Sequence, residues 1–226
     1  MKKIPAPKGV TVFDVALHAG VSIATVSRAL SGNRPMSADL RQRVHNSADA
    51  LGYKVNLVGR ALRQKKTSTV GLVIPDFENP FFSSLAQNIS RSLAGSEVDV
   101  VVASSDNDIN QEKRAVTSFL GRQVDACVLI PSDEVGSAAT VELASNHVPT
   151  IQFDRLVPGA SIAYVGCDNK AGMTMISEHI DQAVDTDRQP VVFIGGGESS
   201  SSGRERSATF LSLRPSTEHY EGRFSF

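Results

Sequence analysis

A short segment near the N-terminus concentrates side chains that bind phosphates and bases. These are the hydroxyl groups and the guanidinium group of Ser22, Thr25, Ser27 and Arg28. Hydroxyl groups donate hydrogen bonds to phosphate oxygens, and an arginine can bind the edge of a guanine at two points. On a helix these residues share an outer face that suits a groove lined with phosphates. The alternative is an ordinary helix pair in an all-α domain.

Two helices and a tight turn would position these side chains. Thr11 stands three residues ahead of Asp14, and this spacing of a capping box predicts a helix start. Gly20 stands where the chain must turn, and Ser22 caps a second helix over residues 23–30. Small and apolar residues recur at the spacing that packs two crossed helices together: Val15, Ala16, Ala19, Val21, Val26 and Ala29. The pattern is that of a helix-turn-helix.

A third helix and a basic segment follow. The third helix is predicted over residues 37–51, and Gly52 ends it. Residues 56–63 can form two helical turns that are too short and too basic to be stable alone. We expect this segment to order only against DNA or a partner, and a flexible linker is the alternative.

Charge divides the chain near the same place. Residues 1–66 hold 12 Lys and Arg and 3 Asp, a net charge of +9, whereas the remaining residues carry −10. A basic head on an acidic body is typical of a nucleic-acid-binding module fused to another domain. The alternative, a charged tail that only keeps the chain in solution, does not explain the helical pattern of the head.

From Thr69 the hydrophobic pattern changes to short β-branched segments that alternate with helical ones. Predicted strands at 69–74, 98–103, 126–130 and 150–153, with helices at 80–94, 110–122 and 135–146, indicate a parallel sheet covered on both faces. A second run has strands at 161–165 and 190–194 and helices at 169–184 and 203–213. Ligands of such sheets bind at the carboxyl ends of the strands, where polar and aromatic residues suit a polyhydroxylated ligand. Solvated loops without a ligand are the alternative.

Several other classes of function are excluded by missing patterns. The first strand does not lead into GxGxxG, no GxSxG occurs, and the glycines at 195–197 lack a phosphate-loop pattern, so we expect no enzyme and no cofactor. The five His are scattered without metal-ligand spacing, and we expect no metal site. Cys127 and Cys167 are expected to be reduced in the cytoplasm. No apolar segment approaches a membrane span, and no signal peptide is evident.

The chain resembles the lactose-repressor (LacI/GalR) family of bacterial transcription regulators. The matching segments are TVFDVALHAGVSIATVSRALSG at 11–32, MSADLRQRV at 36–44, LGYKVNLVGRAL at 51–62, VGLVIPDFENPFF at 70–82, DND at 106–108, FD at 153–154, VGCDNKAG at 165–172 and GRERSATF at 203–210. The resemblance implies an all-α helix-turn-helix head and an α/β core like that of periplasmic binding proteins. The implied divisions are a DNA-binding domain (1–55), a hinge (56–68), a first lobe (69–160) and a partial second lobe (161–226).

The resemblance implies a repressor of a catabolic operon that binds a palindromic operator as a homodimer. Base edges would face Ile23, Ala24 and Arg28, and Ser27 lies on the same helix. Phosphates would face Thr11, Ser22, Thr25, Ser31 and Asn56. Leu62 matches the leucine that family members insert into the minor groove, so we expect a bent operator with a central CG.

The resemblance also implies a small effector between the two lobes. A pentose, a hexose or a nucleoside is expected, and its contacts by position are Phe81, Phe82, Asp106, Ser132, Asp154, Asp168 and Arg206. Three residues depart from the family pattern: Val55 stands in place of Pro, Gly59 in place of Ala and Thr209 in place of Gly. The matched segments stop part-way through the second lobe. We therefore expect weak DNA binding and loss of the effector response.

Overall fold

The chain forms two compact units in a computed structural model, residues 1–64 and residues 65–226. The structure describes residues 9–31, 35–54, 59, 61, 66–185, 189–195 and 200–221. Within these residues no helix is long and apolar enough to cross a membrane. Each unit is built around its own buried residues, and we describe each separately.

Three helices form the head. Their bounds are Val12–Ala19 (α1), Ile23–Ser31 (α2) and Ala38–Ala50 (α3). Each helix contributes a fully buried valine to one core, namely Val15, Val26 and Val44. Small residues at Ala19 and Ala29 are also buried in this cluster and let the helices approach closely. The predicted helix-turn-helix and the third helix are therefore present, with ends that differ from the predicted ones by about one residue.

A five-stranded parallel sheet organises most of the second unit. Its strands are Thr69–Ile74 (β1), Asp99–Ser104 (β2), Ala126–Leu129 (β3), Thr150–Phe153 (β4) and Ala163–Val165 (β5). They lie in the order β2-β1-β3-β4-β5. Three helices cover the sheet: Pro80–Leu93 (α4), Ile109–Gly121 (α5) and Ala138–Ser145 (α6).

Alternate residues of β1 supply the cores on the two faces of this sheet. Val73 belongs to a cluster with Val116 and Phe119 of α5. Leu72 and Ile74 belong to another cluster, which includes residues of α4. Burial on both faces explains why β1 is an unbroken apolar segment, as expected of a parallel strand.

A smaller parallel pair of strands follows. Its elements are Asn169–Ala183 (α7), Val192–Gly195 (β6), Ser201–Leu213 (α8) and Glu218–Glu221 (β7). Strand β6 pairs with β7 in parallel register. At the end of α8, the Arg214 Nε donates to the Ser177 hydroxyl at 3.0 Å, and Arg214 forms an ion pair with Asp181. These contacts fasten α8 to α7.

Two elements, β5 and α6, differ from the sequence-based expectation, and one strand, β7, was not predicted. Strand β5, which we assigned to the second lobe, pairs with β4 and extends the first sheet. The segment after residue 216, where no strand was predicted, contains β7. Helix α6 also begins three residues later than predicted, because the Asp133 Oδ1 accepts hydrogen bonds from the amides of Val135 and Gly136 and holds them in a turn. The overall class, a helical head and a parallel α/β core with a partial second sheet, is confirmed.

Candidate functional site

The start of α2 is fixed by local hydrogen bonds. Gly20 ends α1 in the left-handed conformation, with φ of 64°, which turns the chain sharply. The Ser22 hydroxyl then accepts a hydrogen bond from the amide of Thr25 at 3.2 Å and lies 2.9 Å from the Thr25 hydroxyl. Ser22 thus caps α2 as predicted, and two hydroxyls meet at the N-terminal end of the helix.

The outer face of α2 is open to solvent. Ser22, Ile23, Ala24 and Arg28 are exposed, whereas Thr25 and Ser27 are half-buried. The Arg28 Nε donates to the carbonyl of Ala24 at 3.3 Å, which aligns the side chain along the helix. The structure therefore brings six of the predicted DNA-binding residues together on one short helix. The side chain of Ser31 and all of Asn56 and Leu62 lie outside the described residues.

Thr11 is exposed beside α1 and is engaged with Asp14. The Asp14 Oδ2 accepts hydrogen bonds from the amide of Thr11 at 2.8 Å and from its hydroxyl at 2.7 Å. These hydrogen bonds lower the pKa of Asp14 from its ordinary value of 3.8. Because a hydroxyl has one proton to donate, Thr11 would have to release Asp14 before donating to a phosphate.

Helix α1 carries an apolar surface that the sequence analysis did not single out. Phe13 and Leu17 are 66% and 86% exposed. Their spacing of four places them on one face, away from the buried Val15 and Ala19. The spacing of Phe13 and Leu17 was the sequence signal for this apolar surface. The same sequence also fits a helix that buries these two residues together with Val15 and Ala19.

The carboxyl ends of the strands form the second candidate site. Asp154 follows β4 directly, is buried, and adopts a φ of 59°. The Tyr164 hydroxyl donates to the backbone carbonyl of Asp154 at 3.0 Å. Left-handed backbone at a residue other than Gly is uncommon and is held here by the neighbouring strand. The loop after β4 is therefore held in one conformation.

Arg155, the next residue, is a central group of this site that was not among the predicted effector residues. Its Nη1 donates to the Pro131 carbonyl at 3.2 Å, to the Ser132 carbonyl at 3.4 Å and to the Asn107 Oδ1 at 3.3 Å. Burial lowers the pKa of Arg155, and the nearby carboxylates of Asp154, Asp76 and Glu112 oppose that shift. One guanidinium group therefore links the loops after β2, β3 and β4.

The two predicted aromatic residues differ in their environments. Phe82 is buried, and the Arg155 guanidinium carbon lies 5.7 Å from the centre of its ring. Phe81 is 46% exposed and meets Phe82 edge to face, with ring centres 5.2 Å apart. Phe82 thus supports the arginine, and Phe81 presents a free ring face.

Two further predicted residues lie on the neighbouring loops. Ser132 is buried, and its hydroxyl donates to the Ser105 hydroxyl at 2.8 Å. Asp106 is exposed with φ of 54°, and its amide donates to the Ser104 hydroxyl at 3.1 Å. Ser132 is therefore a fixed wall of the site, and the Asp106 carboxylate is open to a ligand.

Arg206 contacts Asn169, the neighbour of Asp168, at the N-terminal end of α7. The Asp168 Oδ1 caps α7 by accepting from the Ala171 amide at 2.9 Å. The Arg206 Nε donates to the Oδ1 of Asn169 at 2.7 Å, and the Asn169 Nδ2 donates to Glu205 at 3.2 Å. The structure links the predicted residues Asp168 and Arg206 through Asn169. Across the described ranges no group of three or more His, Cys, Asp or Glu residues could hold a metal ion.

Family models match both units. The model for bacterial regulatory proteins of the lacI family matches residues 11–56. The model for the periplasmic binding protein domain matches residues 70–214. The first match covers the three-helix head, and the second runs from β1 to the end of α8 and stops before β7.

Curated relatives match over most of the chain. Catabolite control protein A from Priestia megaterium is 31% identical over 192 residues, which make up 83% of this chain and 55% of that protein. The same protein from Streptococcus mutans is 32% identical over 178 residues, 76% of this chain and 53% of the relative. The chain thus spans about half the length of the curated relatives it matches.

Solved structures show the same fold. The crystal structure of the Lac repressor dimer bound to operator and the anti-inducer ONPF matches with a TM-score of 0.81 at 26% identity, over 96% of this chain and 67% of that chain. A LacI family transcriptional regulator from Silicibacter pomeroyi matches with a TM-score of 0.69 at 22% identity, over 96% of this chain and 66% of that chain.

Proposed function

Because this chain belongs to the lacI family of bacterial regulatory proteins, we propose that it is a transcriptional regulator that binds specific duplex DNA through α2. The observation that carries the proposal is the division of α2 into two faces. Val26 and Ala29 are buried in the head, whereas Ile23, Ala24 and Arg28 point outward. An exposed helix of this size fits the major groove of B-DNA.

The outward residues suggest which bases the helix reads. Arg28 can donate two hydrogen bonds to the O6 and N7 atoms of a guanine. Ile23 and Ala24 have no side-chain hydrogen-bonding groups, so they favour the methyl group of thymine. Ser22 and Thr25 supply hydroxyls for phosphates at the end of α2, where the helix dipole also attracts negative charge. The net charge of +9 on residues 1–66 adds a sequence-independent attraction to DNA.

The finer proposal is a homodimer on a palindromic operator that controls a catabolic operon. The structural relative described above is a Lac repressor dimer bound to operator, and a symmetric dimer binds symmetric half-sites. Leu62 is proposed to enter the minor groove at a central CG and bend the duplex, because pyrimidine–purine steps unstack most easily.

Selection from a library of randomised duplexes tests the DNA-binding proposal. The full chain should enrich a palindrome with a central CG and sediment on it as a dimer. Leu62→Ala should weaken binding to the enriched duplex strongly and binding to a scrambled duplex little. Failure to enrich any sequence would contradict specific DNA binding, and equal losses on the two duplexes would contradict the minor-groove role of Leu62.

We further propose that the carboxyl ends of the strands bind a small sugar-like effector. The support is the half-buried Arg155, which links three loops, together with the exposed Phe81 ring and the exposed Asp106 carboxylate. Carboxylate and guanidinium groups hydrogen-bond hydroxyls, and an aromatic face packs on C–H surfaces. Another Lac repressor structure, with 27% identity and a TM-score of 0.80, has ONPG bound. Asp154, Asp168 and Arg206 complete the proposed contacts.

Titration with a panel of D-ribose, D-glucose and adenosine tests the effector site. Binding measured by calorimetry should be lost in Phe81→Ala and Asp106→Asn. A panel in which no compound binds would contradict this class of effector. An exported sugar-binding protein, the rival reading, would bind a sugar but would not show a steep salt-dependent affinity for duplex DNA.

A further inference from the structure

Glu112 is a buried carboxylate that the proposed effector contacts do not use. It lies on α5 in the same stripe as Val116 and Phe119, four and seven residues further on. All three residues are buried, and Glu112 is fully so. A carboxylate in an apolar stripe costs free energy unless hydrogen bonds compensate it. Its partners therefore indicate what it does.

Two donors to Glu112 come from the loop after β3. The Glu112 Oε2 accepts from the amide of Ser132 at 2.6 Å and from the hydroxyl of Ser137 at 2.9 Å. The Ser137 hydroxyl in turn accepts from the amide of Asp133 at 3.2 Å. One carboxylate oxygen thus holds the start and the end of this loop, which is folded around it.

The same loop forms one wall of the proposed effector site. The Ser132 hydroxyl is bonded to Ser105, and its carbonyl accepts from Arg155. The amide, the hydroxyl and the carbonyl of Ser132 are therefore each fixed by a different element of the fold. Glu112 holds this residue from the helix side, and Arg155 holds it from the site.

The burial of the Glu112 carboxylate carries a free-energy cost. Its second oxygen, Oε1, is buried and has no hydrogen-bond partner in the described part of the chain. Burial raises the pKa of the carboxyl group, and the hydrogen bonds from Ser132 and Ser137 only oppose that shift. A residue kept at such a cost is expected to serve the geometry of a site.

We propose that Glu112 is a positioning residue for the effector site, which fixes the loop carrying Ser132 and the carbonyls that hold Arg155. The inference rests on the proposed effector site. It predicts that the loop loses its fixed conformation when the carboxylate is removed, even when no sugar is present.

Amide hydrogen exchange on the full, sugar-free chain tests this directly. Glu112→Leu keeps a side chain of similar volume but removes the acceptor of the hydrogen bonds from Ser132 and Ser137. The Ser132 amide should therefore exchange about tenfold faster or more. Glu112→Gln keeps a carbonyl oxygen that accepts from Ser132, and the rate should return to within about threefold of the unmodified chain. Val116→Ala, one turn away on the same helix, weakens the core. It should leave the exchange rate of the Ser132 amide unchanged relative to the amides of β3.

Ser137→Ala is a second route if the leucine variant does not fold. It removes one donor without touching the carboxylate, so exchange at the Asp133 amide should also accelerate. Unchanged exchange in both Glu112→Leu and Ser137→Ala, or an equal acceleration in Val116→Ala, would overturn the proposal.

A calorimetric titration then separates this proposal from the effector site. If D-ribose binds the unmodified chain, Glu112→Leu should weaken that binding about tenfold and Glu112→Gln should restore it. Unchanged affinity in the leucine variant would also overturn the positioning role. If none of the panel sugars binds, the effector site itself is contradicted, and the exchange rates still decide whether Glu112 holds the loop.

Discussion

Glu134 and Arg204 form an ion pair that joins the two sheets of the core. Glu134 lies in the loop after β3 and its side chain is 6% exposed, whereas Arg204 lies on α8 with a side chain 44% exposed. A second contact joins the loop after β4 to the start of α8, since the amide of Leu156 donates to the Ser201 hydroxyl at 2.9 Å. Because Glu134 is two residues after Ser132, the ion pair connects helix α8 of the smaller sheet to the loop that lines the proposed effector site.

The unequal burial of the two partners predicts unequal effects of their removal. Arg204→Met leaves a buried carboxylate unpaired and should lower the free energy of unfolding by about 1–2 kcal/mol, a value reduced for the exposure of the arginine. Glu134→Gln removes the buried charge and keeps a polar side chain beside an arginine that is 44% exposed, so it should cost less than about 1 kcal/mol. Urea unfolding of the full chain measures both.

The matched control is Lys170→Ala, since Lys170 and Glu205 form a 4.0 Å pair with side chains 74% and 40% exposed. Its loss should cost less than about 0.5 kcal/mol. A larger loss in Glu134→Gln than in Arg204→Met would contradict the assigned burial of the pair.

Much of this core was predictable from local pattern, and the exceptions have physical causes. Strand β1 is buried on both faces, so its unbroken apolar sequence was enough to predict a strand of a parallel sheet. Strand β5 has only three residues and follows β4 without an intervening helix, so its sequence carries no signal of which sheet it joins. Arg155 follows the predicted strand 150–153 closely in sequence, but its hydrogen bonds to the carbonyls of Pro131 and Ser132 depend on a loop distant in sequence. Glu112 shares one helix face with Val116 and Phe119, and this spacing was the sequence signal that its carboxylate is buried.

The raised pKa of Glu112 predicts a pH-dependent stability. Burial, opposed by hydrogen bonds from Ser132 and Ser137, raises this pKa from its ordinary value of 4.5. The folded state therefore binds more protons than the unfolded state in the window from pH 4.5 up to the raised pKa. The contribution of this group to stability is fully present below pH 4.5 and is lost as the pH rises through the folded pKa.

Comparison with Glu112→Gln isolates this contribution, because glutamine does not titrate. The free energy of unfolding of the unmodified chain, minus that of the variant, should decrease as the pH rises from 4.5 through the folded pKa of Glu112. Urea unfolding followed by circular dichroism gives both values. A difference that stays constant or increases with pH would contradict the raised pKa.

The two cysteines should differ in reactivity. Cys127 is buried, and burial together with the nearby Glu112 raises its pKa to about 12, whereas Cys167 is exposed. Because the thiolate is the reactive form, iodoacetamide should modify Cys167 and spare Cys127 in the folded chain. Peptide mass spectrometry identifies the modified residue, and urea should make both reactive. Equal modification of the two in the folded chain would show that the core around β3 opens readily.

The most direct test of DNA recognition by α2 measures the binding free energy of Arg28→Ala and of the unmodified chain. Each protein is titrated with the selected duplex and with its scrambled counterpart, over a series of salt concentrations. Arg43→Ala, an exposed arginine on α3, is the matched control for the loss of one charge. Arg28→Ala should lose about 1–3 kcal/mol of binding free energy on the selected duplex and little on the scrambled one. Arg43→Ala should affect both duplexes equally. Equal losses on the two duplexes for Arg28→Ala would contradict the proposal that α2 reads the DNA sequence.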